Sequence, residues 1–238
     1  MSKTIVIGDV HGCLEELESL LGRVHLHPSD RVYFVGDLVG RGPSTLGVLA
    51  LAQSIGAVAV RGNHEAKLID YHDYDGRGQR VLLGPNHVEI ARCLSEKDWD
   101  WLRAMPFWYD LAEHDMRIVH AGVLPGKPVE ETDPLVLMTI RSISPLGDPT
   151  SLRGGDLWGR RYQGPPHIVF GHNALMHPQY HVWATGIDLG CVYGGFLAAF
   201  VLEENQPVPP IETRARCLVT VPARKAYYPV RARYRRER

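Results

Sequence analysis

Three times within the first 62 residues, a short β-branched run stops at or next to a glycine and gives way to a helical pattern. Residues 4–7 end at Gly8, after which Leu14, Leu17, Leu20, Leu21 and Val24 recur at helical spacing. Residues 31–35 end at Gly36, and Ser44 is placed to cap a helix carrying Leu46, Val48, Leu49 and the apolar run to Ile55, stopped by Gly56. Residues 57–60 form a third run, which passes through Gly62 into a short helix toward Tyr71. Alternation of this kind predicts a parallel βαβαβ sheet with right-handed crossovers.

The rhythm is lost over residues 72–105, where residues 74–78 look turn-like and residues 88–105 predict two short helices, the second capped by Ser95. This stretch reads as a cap or insertion. Strands return at 108–112, 117–120, 168–170, 181–187 and 196–202, and the Gly/Pro loops between them suggest hairpins and antiparallel pairing in a second sheet. The expected fold is α/β: two mixed β-sheets face to face, flanked by helices, with a small helical cap. One domain is expected over 1–210, followed by an extension over 211–238 that ends in a basic tail.

Composition excludes several other classes. Hydrophobic residues make up 45% and charged residues 22%, the proportions of a soluble globular chain rather than a disordered or fibrous one. No apolar run approaches the ~20 residues of a spanning helix. The opening MSKTIVIGDVHG has an apolar stretch too short for a secretory signal, so a cytoplasmic location without membrane contact is expected. Cys13, Cys93, Cys191 and Cys217 form no CxxC pair and read as structural thiols. Net charge is -1, yet residues 224–238 alone carry +6. That run, interleaved with Tyr227, Tyr228 and Tyr234, suits a solvated terminus; the other reading is a grip on polyphosphate, such as an RNA 5′ end.

Chemistry-bearing residues gather after the strands: Asp9 and His11, Asp37, Asn63 and His64, then His120 and His172. In an open parallel sheet all carboxyl ends face one edge, so these distant positions are expected to converge there. As isolated residues, Asp and Asn are ordinary turn formers. The ordered set at successive strand ends argues for a site. Oxygen and imidazole donors without thiolate suit Mn, Fe, Co, Ni or Zn rather than Ca. Two cations fit the set better than one, with Asp37 bridging them and a bridging hydroxide as nucleophile on phosphorus. His64 is the candidate acid for the departing oxygen. Arg41, with an Arg from 141, 153, 160 or 161, could clamp phosphate oxygens. Tyr71, Tyr74, Trp158, Tyr162 and Tyr193 are candidate stacking or packing aromatics. The remaining histidines, His87 among them, have no motif context and read as ordinary surface or core residues.

The motifs GDVHG (8–12), GDLVGRG (36–42), GNHE (62–65), HAG (120–122) and GH (171–172) resemble the signature of the phosphoprotein phosphatase branch of the calcineurin-like metallophosphoesterases. The segment GIDLGCVYGGFL (186–197) resembles the closing strands of bacterial diadenosine tetraphosphatases and their relatives. The resemblance implies an αββα sandwich holding two divalent metal ions, Mn first, with Co, Ni, Fe, Zn or Mg as alternatives. It implies Asp9 and His11 on the first metal, Asp37 between the two, and Asn63, His120 and His172 on the second. His64 is then the acid, and Arg41 and Arg141 bind phosphate. The implied activity is hydrolysis of dinucleoside polyphosphates of the diadenosine tetraphosphate type, giving ADP. A bacterial serine/threonine or tyrosine protein phosphatase acting on phosphoproteins is the alternative, and a non-catalytic binding module is a third reading.

One departure stands out. Typical members of that branch read GDxVDRG, whose second Asp orients and charges the catalytic His, whereas this chain has Gly40. The missing carboxylate predicts that His64 protonates less readily and that Gly40→Asp raises turnover of phosphomonoesters.

Overall fold

The computed structural model describes residues 2–74 and 82–229. The opening rhythm folds as expected, into β1 (Lys3–Ile7), α1 (Leu14–Arg23), β2 (Arg31–Phe34), α2 (Thr45–Ser54), β3 (Val58–Ala59) and α3 (Asn63–Tyr74). The third crossover is so tight that Asn63 and His64 already belong to the first turn of α3. Ser44 does hold the N-cap position of α2, but its side chain makes no capping bond. Thr45 is used instead, its hydroxyl accepting the Gly40 N–H at 3.1 Å.

Two cap helices follow, α4 (Pro85–Cys93) and α5 (Glu96–Ala104). Ser95 starts the latter with a capping box, accepting the Asp98 N–H while Asp98 accepts its own. Of the turn expected over 74–78, Tyr74 closes α3 and the rest lies outside the described residues, as do positions 230–238 of the basic run.

The second half comprises β4 (Trp108–Leu111), β5 (Met116–Val119), α6 (Pro134–Thr139), β6 (Ser142–Ile143), β7 (Pro149–Thr150), β8 (Asp156–Leu157), α7 (Trp158–Arg161), β9 (His167–Phe170), β10 (Gln179–Tyr180), β11 (Ala184–Gly186), β12 (Phe196–Glu203) and β13 (Leu218–Pro222). One five-stranded sheet runs β13-β12-β1-β2-β3 and the other β10-β11-β9-β5-β4, while β7-β6-β8 form a small third sheet. The antiparallel pairing expected in the second sheet holds only at its edges, β4 with β5 and β10 with β11. Its centre is parallel, since β9 pairs parallel with both β5 and β11. The Gly/Pro-rich stretch between β5 and β9 is therefore a long crossover containing α6, the small sheet and α7, rather than a hairpin. The C-terminal strand β13 pairs with β12, so residues beyond 210 complete the edge of the first sheet.

Alternation along β1 separates two cores. Ile5 and Ile7 face outward to Leu17, Leu20, Val48 and Leu49 of α1 and α2. Val6 faces inward, where with Tyr33, Val35 and Phe200 it meets Met116, Ile118 and Val169 of the other sheet. A third cluster, around Phe170, Leu137 and the fully buried Trp158, covers the far side of the second sheet. Each fully buried aliphatic or aromatic side chain contributes roughly 1.5–3 kcal/mol, so these clusters hold the two sheets in fixed register. Cys13, Cys191 and Cys217 are buried and Cys93 is exposed, all as free thiols. No helix among the described residues is long and apolar enough to cross a membrane.

Candidate metal centre

Parallel pairing brings the carboxyl ends of β1, β2, β3, β5, β9 and β11 to one edge, where Asp9, Asp37, Asn63, His120, His172 and Asp188 follow them. The loops there are tightly bent. His11, Asp37, Arg41 and His172 all have positive φ, between 47° and 65°. A left-handed conformation costs a non-glycine residue roughly 1–2 kcal/mol, and such strain at four neighbouring polar residues marks a functional site rather than ordinary turns.

Asp37 lies at the centre. Its Oδ2 is 3.4 Å from His11 Nε2 and its Oδ1 is 3.5 Å from His120 Nε2. At this edge two groups of three have ligand atoms within 4.8 Å of one another: His11, Asp37 and His64, and Asp37, His120 and His172. Asp37 belongs to both. Asn63 Oδ1 joins the second group, 3.2 Å from His120 Nε2. Asp9 stands slightly apart, its carboxylate accepting the His172 backbone N–H at 3.1 Å.

The imidazoles are set up as ligands. His11 Nδ1 donates to Val39 O at 3.0 Å and His120 Nδ1 to Val35 O at 2.8 Å, which leaves both Nε2 lone pairs facing Asp37. His172 Nε2 is buried with no hydrogen-bond partner, an arrangement that an electrophile at the site would relieve. Burial raises the Asp37 pKa to about 7 and, with the neighbouring Asp188 and Asp37 charges, raises that of Asp9 well above the carboxylate range. Burial also lowers His120 to about 4 and His11, His64 and His172 well below the usual imidazole value. Neutral imidazoles around crowded, poorly solvated carboxylates fit divalent cations, which would hold the carboxylates ionised.

Two buried carboxylates of this site were not singled out in the sequence. Glu65 is completely buried, and its Oε2 accepts the N–H groups of Asp37 at 2.9 Å and Gly62 at 3.0 Å while Oε1 accepts that of Val39 at 3.1 Å. It thereby ties the loop after β2 to the loop after β3. Burial raises its pKa to about 7. Asp188 follows β11 at the same edge as the other strand-end residues. It is buried, and its Oδ1 accepts the Gly190 N–H at 2.9 Å.

Arg41 NH1 donates to His11 Nε2, and the guanidinium lies 5.4 Å from the Tyr193 ring and 6.0 Å from that of Tyr228. Half-buried Arg141 donates to Ser151 O at 2.8 Å, leaves its Nε unpartnered, and lines a pocket of about 230 Å³ with Arg153, Arg160 and Asn173. Arg161 is instead paired with Asp156 at 2.6 Å. A larger cleft, about 510 Å³, opens between Arg41, Thr45, Asn86 and Ile90, with Tyr227 on its wall. Trp158 is not available for stacking: it is buried and donates to Ala121 O.

His87, read as an ordinary residue, is at the site as well. Its Nε2 is 2.8 Å from His64 Nδ1. The expected gain from Gly40→Asp meets this residue, because a Cβ on Gly40 would come within 2.8 Å of His87 Nε2.

Comparison with known proteins identifies the family. Residues 2–206 match the model of the family described as calcineurin-like phosphoesterase. A bis(5′-nucleosyl)-tetraphosphatase PrpE, asymmetrical, from Geobacillus sp. is 31% identical over 97% of this chain and 98% of its own. A symmetrical bis(5′-nucleosyl)-tetraphosphatase from Shewanella baltica is 40% identical over 52% of this chain and 46% of its own. A solved structure of a candidate diadenosine tetraphosphatase superposes with a TM-score of 0.78 at 31% identity, covering 93% of both chains. With its strand-end cluster intact and the match running through nearly the whole sandwich, the chain belongs to the calcineurin-like phosphoesterases.

Proposed function

We propose that this protein hydrolyses dinucleoside polyphosphates of the diadenosine tetraphosphate type at the Asp37 centre. The observation that carries the reading is the sharing of Asp37 between two sets of neutral imidazoles, with an arginine-lined pocket beside it. Names of relatives along the whole length of the chain support the same substrate class.

Asp9, His11 and Asp37 would hold one divalent cation, and Asp37, Asn63, His120 and His172 the other. Bound there, such cations would supply charge neutralisation at phosphorus and lower the pKa of water so that it serves as a nucleophile at neutral pH. Oxygen and imidazole donors without thiolate suit manganese, to be tested against Co, Ni, Fe, Zn and Mg. His64 gives a proton to the departing oxygen. Arg41 and Arg141 hold non-bridging oxygens on either side of the scissile bond, and Arg153 and Arg160 extend the cationic wall along the polyphosphate. The Tyr193 and Tyr228 rings beside Arg41 offer a base a surface to stack on.

Product analysis tests the reading. Manganese-loaded protein is expected to consume diadenosine tetraphosphate faster than a phosphoserine or phosphotyrosine peptide at equal concentration. ADP alone reports the central cleavage expected from the sequence, whereas ATP with AMP reports cleavage at the outer bond. Efficient release of phosphate from the peptides with the dinucleotide left intact overturns it in favour of a protein phosphatase.

A further inference from the structure

The glycine at position 40 has a physical reason in the cap. The His64 and His87 rings are joined Nδ1 to Nε2 at 2.8 Å, with centroids 4.8 Å apart and planes inclined by 38°. A Cβ on residue 40 would lie 2.9 Å from His64 Nδ1 and 2.8 Å from His87 Nε2, so it would press into the link between the rings. Gly40 also has φ +82°, a conformation that strains most side-chain-bearing residues. His87 is brought in by α4, and that helix is pinned to the loop next door, where the Arg41 N–H donates to Asn86 Oδ1 at 2.8 Å. Among the described residues no carboxylate is bonded to the His64 ring.

We propose that His87 is the positioning residue of His64, its Nε2 holding Nδ1 of that ring in the space a carboxylate side chain on residue 40 would fill, and that Gly40 is present because the cap helix supplies this imidazole. The inference rests on the reading of His64 as the group that protonates the departing oxygen. Between two ring nitrogens at this distance, one carries the hydrogen. With the hydrogen on His64 Nδ1 and donated to His87, the second His64 nitrogen is the one left for substrate. In the step itself, Nε2 of the neutral ring takes a proton from water and passes it to the leaving oxygen as the P–O bond to that oxygen breaks and a water-derived oxygen bonds to phosphorus. The Nδ1 proton stays in the link to His87. His87 is a neutral acceptor, so it fixes the ring and its tautomer without adding a negative charge to a centre already crowded with Asp9, Asp37 and Asp188.

Two readouts on the full chain test this, with His87→Ala, His87→Gln and His64→Ala as variants. Histidine ¹⁵N NMR of the protein is expected to find His64 with its hydrogen on Nδ1, lost to the other tautomer in His87→Ala and restored in His87→Gln, whose amide oxygen reaches the same place. Kinetics of the metal-loaded protein are expected to show kcat for phenyl phosphate falling about tenfold or more in His87→Ala at unchanged KM, and by no more than about threefold for p-nitrophenyl phosphate, whose leaving group needs no proton. An unchanged His64 tautomer in His87→Ala, or equal losses on both esters, overturns the proposal. Failure of the underlying reading looks different: His64→Ala would then lose activity equally on both esters. Failure of the dinucleotide assignment would leave the NMR result intact.

Discussion

Glu65 sits beneath Asp37, with its Oε2 accepting the Asp37 backbone N–H at 2.9 Å. The same carboxylate holds the N–H groups of Gly62 and Val39, so three buried donors from two loops converge on one side chain. Asp37 has a left-handed backbone, φ 52°, and this tether offsets the strain. Glu65→Gln places an amide N–H against at least one of these donors and is expected to cost about 1–3 kcal/mol of stability. Glu65→Ala leaves all three unpaired and is expected to cost about 3 kcal/mol or more. Urea unfolding of the two variants measures this; a loss under about 0.5 kcal/mol for the alanine variant, within the range of ordinary surface substitutions, would show that the loops are held by other contacts.

At position 40 a carboxylate and His87 compete for the same space. Gly40→Asp is therefore expected to lower turnover of phenyl phosphate, whose leaving group needs a proton, by about tenfold, within the span attributable to losing a positioned acid. Adding His87→Ala is expected to recover part of that loss, because Asp tolerates positive φ better than most residues and could then accept from His64 Nδ1. Steady-state rates of the wild type, the two single variants and the double variant complete the cycle. Additive losses would mean that the two positions do not share a role.

Metal uptake should depend on pH with a definite sign. Burial raises Asp37 to about 7, so in the metal-free protein it is protonated at about pH 6 and largely ionised at about pH 8. His120, lowered to about 4, is already neutral across that range and contributes no proton. A cation binding at lower pH must expel the protons of Asp37 and of the likewise raised Asp9, so apparent affinity should fall by at least roughly tenfold per pH unit below about 7. Calorimetric titrations in buffers of different ionisation enthalpy measure both affinity and protons released. An affinity independent of pH between about 6 and 8 would contradict this.

Arg141 and Arg160 line one pocket, but the charge of Arg141 acts on Asp37, His120 and His172 whereas that of Arg160 acts on His181. Burial and the charge of Arg153 lower the Arg141 pKa, the signature of a cationic site that gains from an anion. Arg141→Ala is expected to raise KM about tenfold or more for every phosphate substrate, the cost of a charge-assisted bond. Arg160→Ala is expected to raise it only for polyphosphates. Equal effects of Arg160→Ala on diadenosine tetraphosphate and p-nitrophenyl phosphate would remove the proposed polyphosphate track.

Much of this was legible from the strand-end spacing. Gly8, Gly36 and Gly62 mark where β1, β2 and β3 deliver Asp9, Asp37 and Asn63, because local β-propensity and glycine turns are encoded within a few residues. Sheet pairing was less legible. The crossover from His120 to β9 contains turns that look like hairpins one by one, and only long-range packing of Leu137 and Trp158 makes β5 and β9 parallel. Asp188 carries the same strand-end signal as Asp37, within GIDLG, and could have been found. His87 could not: it is on a partly buried cap helix with no glycine-bounded strand before it, and its contact with His64 appears only when α4 folds against the loop holding Gly40. Glu65 looked like one letter of a motif, whereas its three backbone partners are visible only in three dimensions.

The sharing of Asp37 between two cations is tested most directly by counting metal ions per chain. Elemental analysis of protein equilibrated with manganese and freed of excess is predicted to give about two ions per chain for the wild type and to lose both in Asp37→Asn. One ion per chain in the wild type, or two retained in Asp37→Asn, would contradict the account.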